Sequence, residues 1–208
     1  MEPTNQKGLP LRDFYRDETY RHWLRLTAIA FVVMVVGSFV VGVLMPSLPE
    51  GIARQLTETM EEMGVADGDG RLLMLGLFLH NLQAMAVSML LGLIPFIYLP
   101  ALLLGTNAMV LGFVGAHYVN HGASLLIYLV GILPHGIFEL PALVLSLSCG
   151  FYLCHCLTQR LRTKEKGVMR NAMSRVSQML FLQIAPLLLA ASFMEAYVTP
   201  AILRAMMG

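Results

Sequence analysis

Residues 26–45 read LTAIAFVVMVVGSFVVGVLM, an uncharged run that stops at Pro46. A helix needs about 20 predominantly apolar residues to cross a bilayer, so this run is long enough for one crossing. Four further apolar tracts follow, at about 72–93, 100–118, 125–157 and 176–201. Only 13% of the chain is charged, against about 25% in an average soluble domain. Little sequence is left over for a separate soluble domain. The expected fold class is therefore all-α, a polytopic membrane helix bundle with about five transmembrane helices.

The basic residues set the expected topology. Lys7, Arg12, Arg16, Arg21 and Arg25 precede the first run. Arg160, Arg162, Lys164, Lys166, Arg170 and Arg175 crowd a later stretch, which leaves only Arg54, Arg71 and Arg204 elsewhere. The positive-inside rule puts both groups in the cytoplasm, and five crossings then carry the C-terminus outside. The segment holding Glu50, Glu58, Glu61, Glu62, Asp67 and Asp69 falls on the outer side. A cleavable signal peptide is not indicated, because the first run starts late, is long and shows no small-residue cleavage pattern before Pro46. The expected division is a cytoplasmic amphipathic segment at 1–25 and a transmembrane domain at 26–208, with an outer segment at 46–71 and a basic cytoplasmic loop at 158–175. A nucleic-acid partner is not expected.

Aromatic and charged residues mix over 11–24, with Leu11, Phe14, Tyr15, Tyr20 and Trp23 among Arg, Asp and Glu. That pattern predicts a helix at the inner membrane surface. Ile52, Leu56 and Met60 predict a short amphipathic helix outside, before Gly64 to Gly70 loosens the chain. The Pro95–Pro100 turn carries no charge, so it is either very short or partly buried against other helices. The fourth tract exceeds one straight span, and its evident breakers are Pro134 and Pro141. The fourth helix is expected to be broken at Pro134, and the fifth to bend at Pro186 and end near Pro200.

Small residues recur every four positions, as Ala84, Ser88 and Gly92 on the second span and Ala108, Gly112 and Ala116 on the third. Such stripes let helix backbones approach closely in lipid. They suit seams within one chain and equally a homodimer. Polar residues within the spans are more informative, because a central charge costs about 2.5 kcal/mol or more on insertion scales. His80, Asn81 and Gln83 lie on the second span, Asn107 on the third, His135 and Glu139 on the fourth and Glu195 on the fifth. Counted inward at about 1.5 Å per residue, His80, Asn81, His135 and Glu139 reach similar depth in the outer half.

His135 and Glu139 share one helix face, four residues apart. In one reading imidazole and carboxylate satisfy each other and pin the helix, with Asn81 completing the hydrogen bonds. In a second, they hold a divalent metal such as zinc with His80, His117 or His121 as a further ligand. A third is a proton or ion relay. No His-Glu-x-x-His pair is present to suggest hydrolysis, and no catalytic residue is assigned. Cys149, Cys154 and Cys156 are odd in number and lie in or at the inner end of an apolar tract, so they are expected to pack rather than bridge. Cys154, His155 and Cys156 lack a second ligand pair for a metal.

The stretch LPHGIFELPA at 133–142, followed by Gly150, resembles the signature of the stage II sporulation protein M family. Phe78, Asn81, Gly92, Asn107 and Gly112 also resemble that family's pattern, and the resemblance covers most of the chain from about Leu26. Ala108 stands where the family is expected to carry glycine. The resemblance implies a five-span protein of the cytoplasmic membrane. In spore formers such a protein is similar to the anchor that recruits a peptidoglycan amidase and a lytic transglycosylase during engulfment. The leading expectation is a non-enzymatic membrane scaffold. The alternative is a metal-binding intramembrane enzyme or an ion transporter built on His135 and Glu139.

Overall fold

The structure is a computed structural model and describes residues 11–52, 54, 74–164, 167–199, 201, 202 and 205. The expected outer helix through Leu56 and Met60, the acidic residues Glu58, Glu61, Glu62, Asp67 and Asp69, and the Gly64–Gly70 stretch lie outside the described residues, as does Lys7. Among the described residues there is no strand. Five helices are long and apolar enough to cross a membrane: Glu18–Leu44, Met74–Leu93, Pro100–Asn120, Leu125–Thr163 and Val168–Val198. The chain is a multi-pass membrane protein.

Residues 11–24 do not form one helix. A short turn, α1 (Leu11–Phe14), is followed by α2 (Glu18–Leu44), which continues unbroken through the first apolar run. Asp17 starts α2 by accepting hydrogen bonds from the backbone N–H groups of Thr19 and Tyr20, as an N-cap residue does. Its carboxylate also pairs with Arg175 at 2.7 Å. The aromatic residues face protein: Phe14 and Tyr20 are buried and stacked at 4.0 Å, and Trp23 stacks on Phe151 at 5.3 Å. Tyr15 donates to Gln183, and burial pushes its hydroxyl above the usual tyrosine range, which keeps the proton in place. We call this the basic end of the bundle.

α3 (Met74–Leu90) ends in a tighter turn at Leu91–Leu93, and α4 (Pro100–Asn120) runs back with Pro100 in its first turn. The turn between them is fastened to the next helix. Phe96 donates its N–H to Thr158 Oγ1 at 3.2 Å, Cys154 Sγ donates to the Ile94 carbonyl at 3.3 Å, and Arg162 lies over the Phe96 ring. Part-buried backbone groups in an uncharged turn thereby find partners, as a low-dielectric surrounding demands.

α5 (Leu125–Thr163) is the centre of the bundle, with Ser146 through Cys154 buried without a gap. It is helical throughout, so the expected break at Pro134 is absent. Each proline withholds one N–H, from the Val130 carbonyl at Pro134 and the Ile137 carbonyl at Pro141, and an isolated helix would lose about 3 kcal/mol at each. The packing of Ala142 and Leu143 in the core helps hold the helix together across these sites. The excess length has another outlet. At 39 residues α5 extends about 58 Å, against a hydrocarbon core of about 30 Å, so it projects beyond the apolar layer to Arg160 and Arg162.

The last span is not a uniform helix. α6 (Val168–Met179) widens into a π turn at Leu180–Ile184, resumes as α7 (Ala185–Phe193) and widens again at Met194–Val198. The Ala185 N–H reaches the Leu180 carbonyl and the Thr199 N–H the Met194 carbonyl, five residues back in each case. Each wide turn ends immediately before a residue that precedes proline, Pro186 or Pro200. A proline ring clashes with the carbonyl four residues earlier, and a π turn moves that carbonyl aside.

Close backbone approach joins the helices. A Cβ on Gly92 would lie 2.0 Å from the Gly150 carbonyl oxygen, and one on Gly112 would lie 2.0 Å from Ser38 Oγ. Ser88 and Ser146 hydrogen-bond directly beside the first contact, and Ser146 also donates to the Met85 carbonyl at 2.9 Å. Ala108 and Ala116 are fully buried, while Ala84 is exposed to a cleft. Gly92→Ala is expected to lower the thermal midpoint in detergent, with overpacking of about 1–3 kcal/mol. Gly37→Ala meets nothing within 4 Å and should hold or raise it, since alanine is the better helix former by about 1 kcal/mol. Equal midpoints for the two variants would show that α3 and α5 do not touch at Gly92.

Candidate functional site

Sequence spacing puts His135 and Glu139 on one face of α5, one turn apart. Tertiary structure adds a third group. One ligand atom each from His135, Glu139 and Glu195 lies within 4.8 Å of the other two, and all three side chains are partly buried. Glu195 comes from the π turn at the end of the last span. No Lys or Arg occurs in 26–52, 74–159 or 176–199, so no basic side chain of the spans is available to pair with these carboxylates. The Nδ1 atom of His135 is buried without a hydrogen-bond partner.

His80 is not part of this group. It lies with Asn81 and Gln83 along α3, on the wall of a cleft of about 780 Å³ that also reaches Ala84, Asn107 of α4 and Glu139 of α5. A smaller cavity of about 230 Å³ also borders Glu139 and is lined by His135, Asn107 and Tyr128 among apolar residues. Glu139 and Asn107 border both spaces. Asn107 donates from Nδ2 to the Leu103 carbonyl at 2.8 Å, a bond within its own helix.

The other histidines are placed apart. His117 and His121 lie against each other at the far end of α4, their rings tilted with centroids 4.1 Å apart and His121 Nδ1 2.9 Å from the His117 carbonyl. His155 lies beside Trp23 at the basic end. Cys149, Cys154 and Cys156 are free thiols and buried. None of these joins a group of three potential ligands among the described residues.

Sequence reasoning places Glu195 as a polar residue of the last span but does not bring it to His135. The available signal is Pro186: the proline-adjacent π turn at Leu180–Ile184 adds a residue and rotates the later part of the helix, Glu195 included, by about 100° from the α-helical register.

The family model of stage II sporulation protein M matches residues 26–200. The chain belongs to that family. No curated protein and no solved structure matches it. The match spans all five apolar helices and includes all three members of the cluster. In this stage II sporulation protein M family member, the 133–142 stretch is the part of α5 that carries His135 and Glu139 past the two cavities.

The cleft wall carries His80, Asn81, Gln83, Asn107 and Glu139 among its apolar residues, which predicts water in it. A Gln83→Cys variant should react with a membrane-permeant maleimide in vesicles faster than Ile137→Cys, since thiolate formation needs water. Ile137 is 62% exposed but lines neither space. The native thiols are buried and give a low background. Equal rates, read as a mass shift, would show the cleft to be filled with lipid.

Proposed function

We propose that the protein is a scaffold of the cytoplasmic membrane that positions extracytoplasmic peptidoglycan-remodelling enzymes, an amidase and a lytic transglycosylase. The observation that carries this reading is family membership over 26–200. The interlocked bundle supports it, since backbone contacts at Gly92 and Gly112 make a rigid platform from which loops can be presented.

In this reading the basic end, with Arg12, Arg16, Arg21, Arg25, Arg160, Arg162, Arg170 and Arg175, lies in the cytoplasm. The N-terminus is inside and the C-terminus outside, and the segment 46–71 with the turn 119–124 faces the partner enzymes. A homodimer would need a face other than the small-residue stripes, because Ser88, Gly92, Ala108, Gly112 and Ala116 are buried within one chain. The exposed α2 surface through Ile29, Val33, Val36 and Val40 is one such face.

Two measurements test the reading. A C-terminal alkaline phosphatase fusion should be active and an N-terminal one inactive; the reverse would invert the topology. Native-level pull-down from the host membrane should recover a peptidoglycan amidase or lytic transglycosylase, and deletion of the gene should disperse that enzyme from its site. A wall hydrolase whose localisation is unchanged by the deletion would remove the scaffold role.

A further inference from the structure

Charge balance is the difficulty posed by the His135, Glu139 and Glu195 cluster. Two carboxylates and one imidazole meet within 4.8 Å inside a bundle with no Lys or Arg in 26–52, 74–159 or 176–199. Unpaired charge at membrane depth is strongly disfavoured. A divalent cation would cancel both negative charges at once. Protons would cancel them one at a time, whereas one metal ion would engage both carboxylates and the imidazole together.

We infer that His135, Glu139 and Glu195 form a binding site for one divalent transition-metal ion of the zinc class, set within the membrane bundle. The donor set fits: one imidazole nitrogen and two carboxylate oxygens are borderline to hard ligands that suit zinc, manganese or ferrous iron. Ligands about 2.1 Å from a tetrahedral zinc stand roughly 3.4 Å apart. The three ligand atoms already lie within 4.8 Å of one another. Three protein ligands leave a fourth position, and the cavities beside Glu139 give water or a small ligand a way to reach it.

The geometry also explains a structural oddity. His135 and Glu139 belong to α5, whereas Glu195 belongs to the π turn after α7. A shared ion ties the last span to the central helix at the end away from the Asp17–Arg175 pair. The site is independent of the scaffold reading, because a metal can brace a scaffold or equip an enzyme.

The full chain is purified in detergent, incubated with zinc chloride, desalted and assayed by elemental analysis. Wild type and His80→Ala should each keep about one zinc per chain. His135→Ala, Glu139→Gln and Glu195→Gln, each checked for helicity and monodispersity, should keep under about a tenth of that. Glu195→Gln decides most, since a site made by His135, Glu139 and His80 would survive it. Folded wild type that retains neither zinc nor added manganese, cobalt or ferrous iron overturns the proposal, as does zinc retained in Glu195→Gln. If the variants do not fold, X-ray absorption on zinc-loaded wild type decides. One imidazole with oxygen ligands supports the site, and a sulfur shell, which would move the ion to the cysteines, overturns it.

Discussion

Helices in lipid gain little from hiding apolar surface, because the surrounding chains are as apolar as leucine, so association depends on how closely backbones can approach. In this bundle that approach is made at Gly92 against Gly150, where any side-chain carbon would meet a carbonyl oxygen. Ser88 and Ser146 hydrogen-bond at the same contact. α5 is thereby held at the centre, and its buried run from Ser146 to Cys154 is where the other spans are referred to one another. The second close contact, Gly112 against Ser38, does the same for α4 and α2. Ser38 returns its own hydroxyl to the Met34 carbonyl at 2.8 Å, so no polar atom is stranded there.

Prolines shape this bundle in two different ways. In α5, Pro134 and Pro141 are absorbed without interrupting the helix, because surrounding helices stabilise a segment that would fray alone. In the last span, the residues before Pro186 and Pro200 relax into π turns. The first of these carries Gln183 toward Tyr15 at the basic end. The second carries Glu195 toward His135 and Glu139. The same chemical constraint, a missing N–H and a bulky ring, is met by packing in one helix and by a change of helical pitch in another.

The two ends of the molecule treat charge differently. At the basic end Asp17 has Arg175 at 2.7 Å, caps α2 and lies near the Tyr152 hydroxyl. That carboxylate is paired and hydrogen-bonded. Glu139 and Glu195 meet each other and the His135 imidazole, with no basic side chain in the group. Carboxylates kept inside a membrane bundle are expensive to hold without a task, and two cavities meeting at Glu139 give this one access to small polar species.

Sequence alone determined the solvent and the number of crossings, because an apolar run of spanning length has few other uses and the basic clusters are so uneven. It also determined the His135–Glu139 pair, since i and i+4 on a helix are neighbours whatever else the chain does. It misplaced the helix limits near Asp17 and Pro134, where local rules about aromatic residues and proline were overridden by packing: Phe14 and Tyr20 are buried against protein, and α5 runs on. Tertiary structure alone decided that Glu195, rather than His80, completes the cluster. That choice depends on the rotation of one span against another and on a π turn that shifts the helical register, and neither is encoded in residue spacing along a single helix.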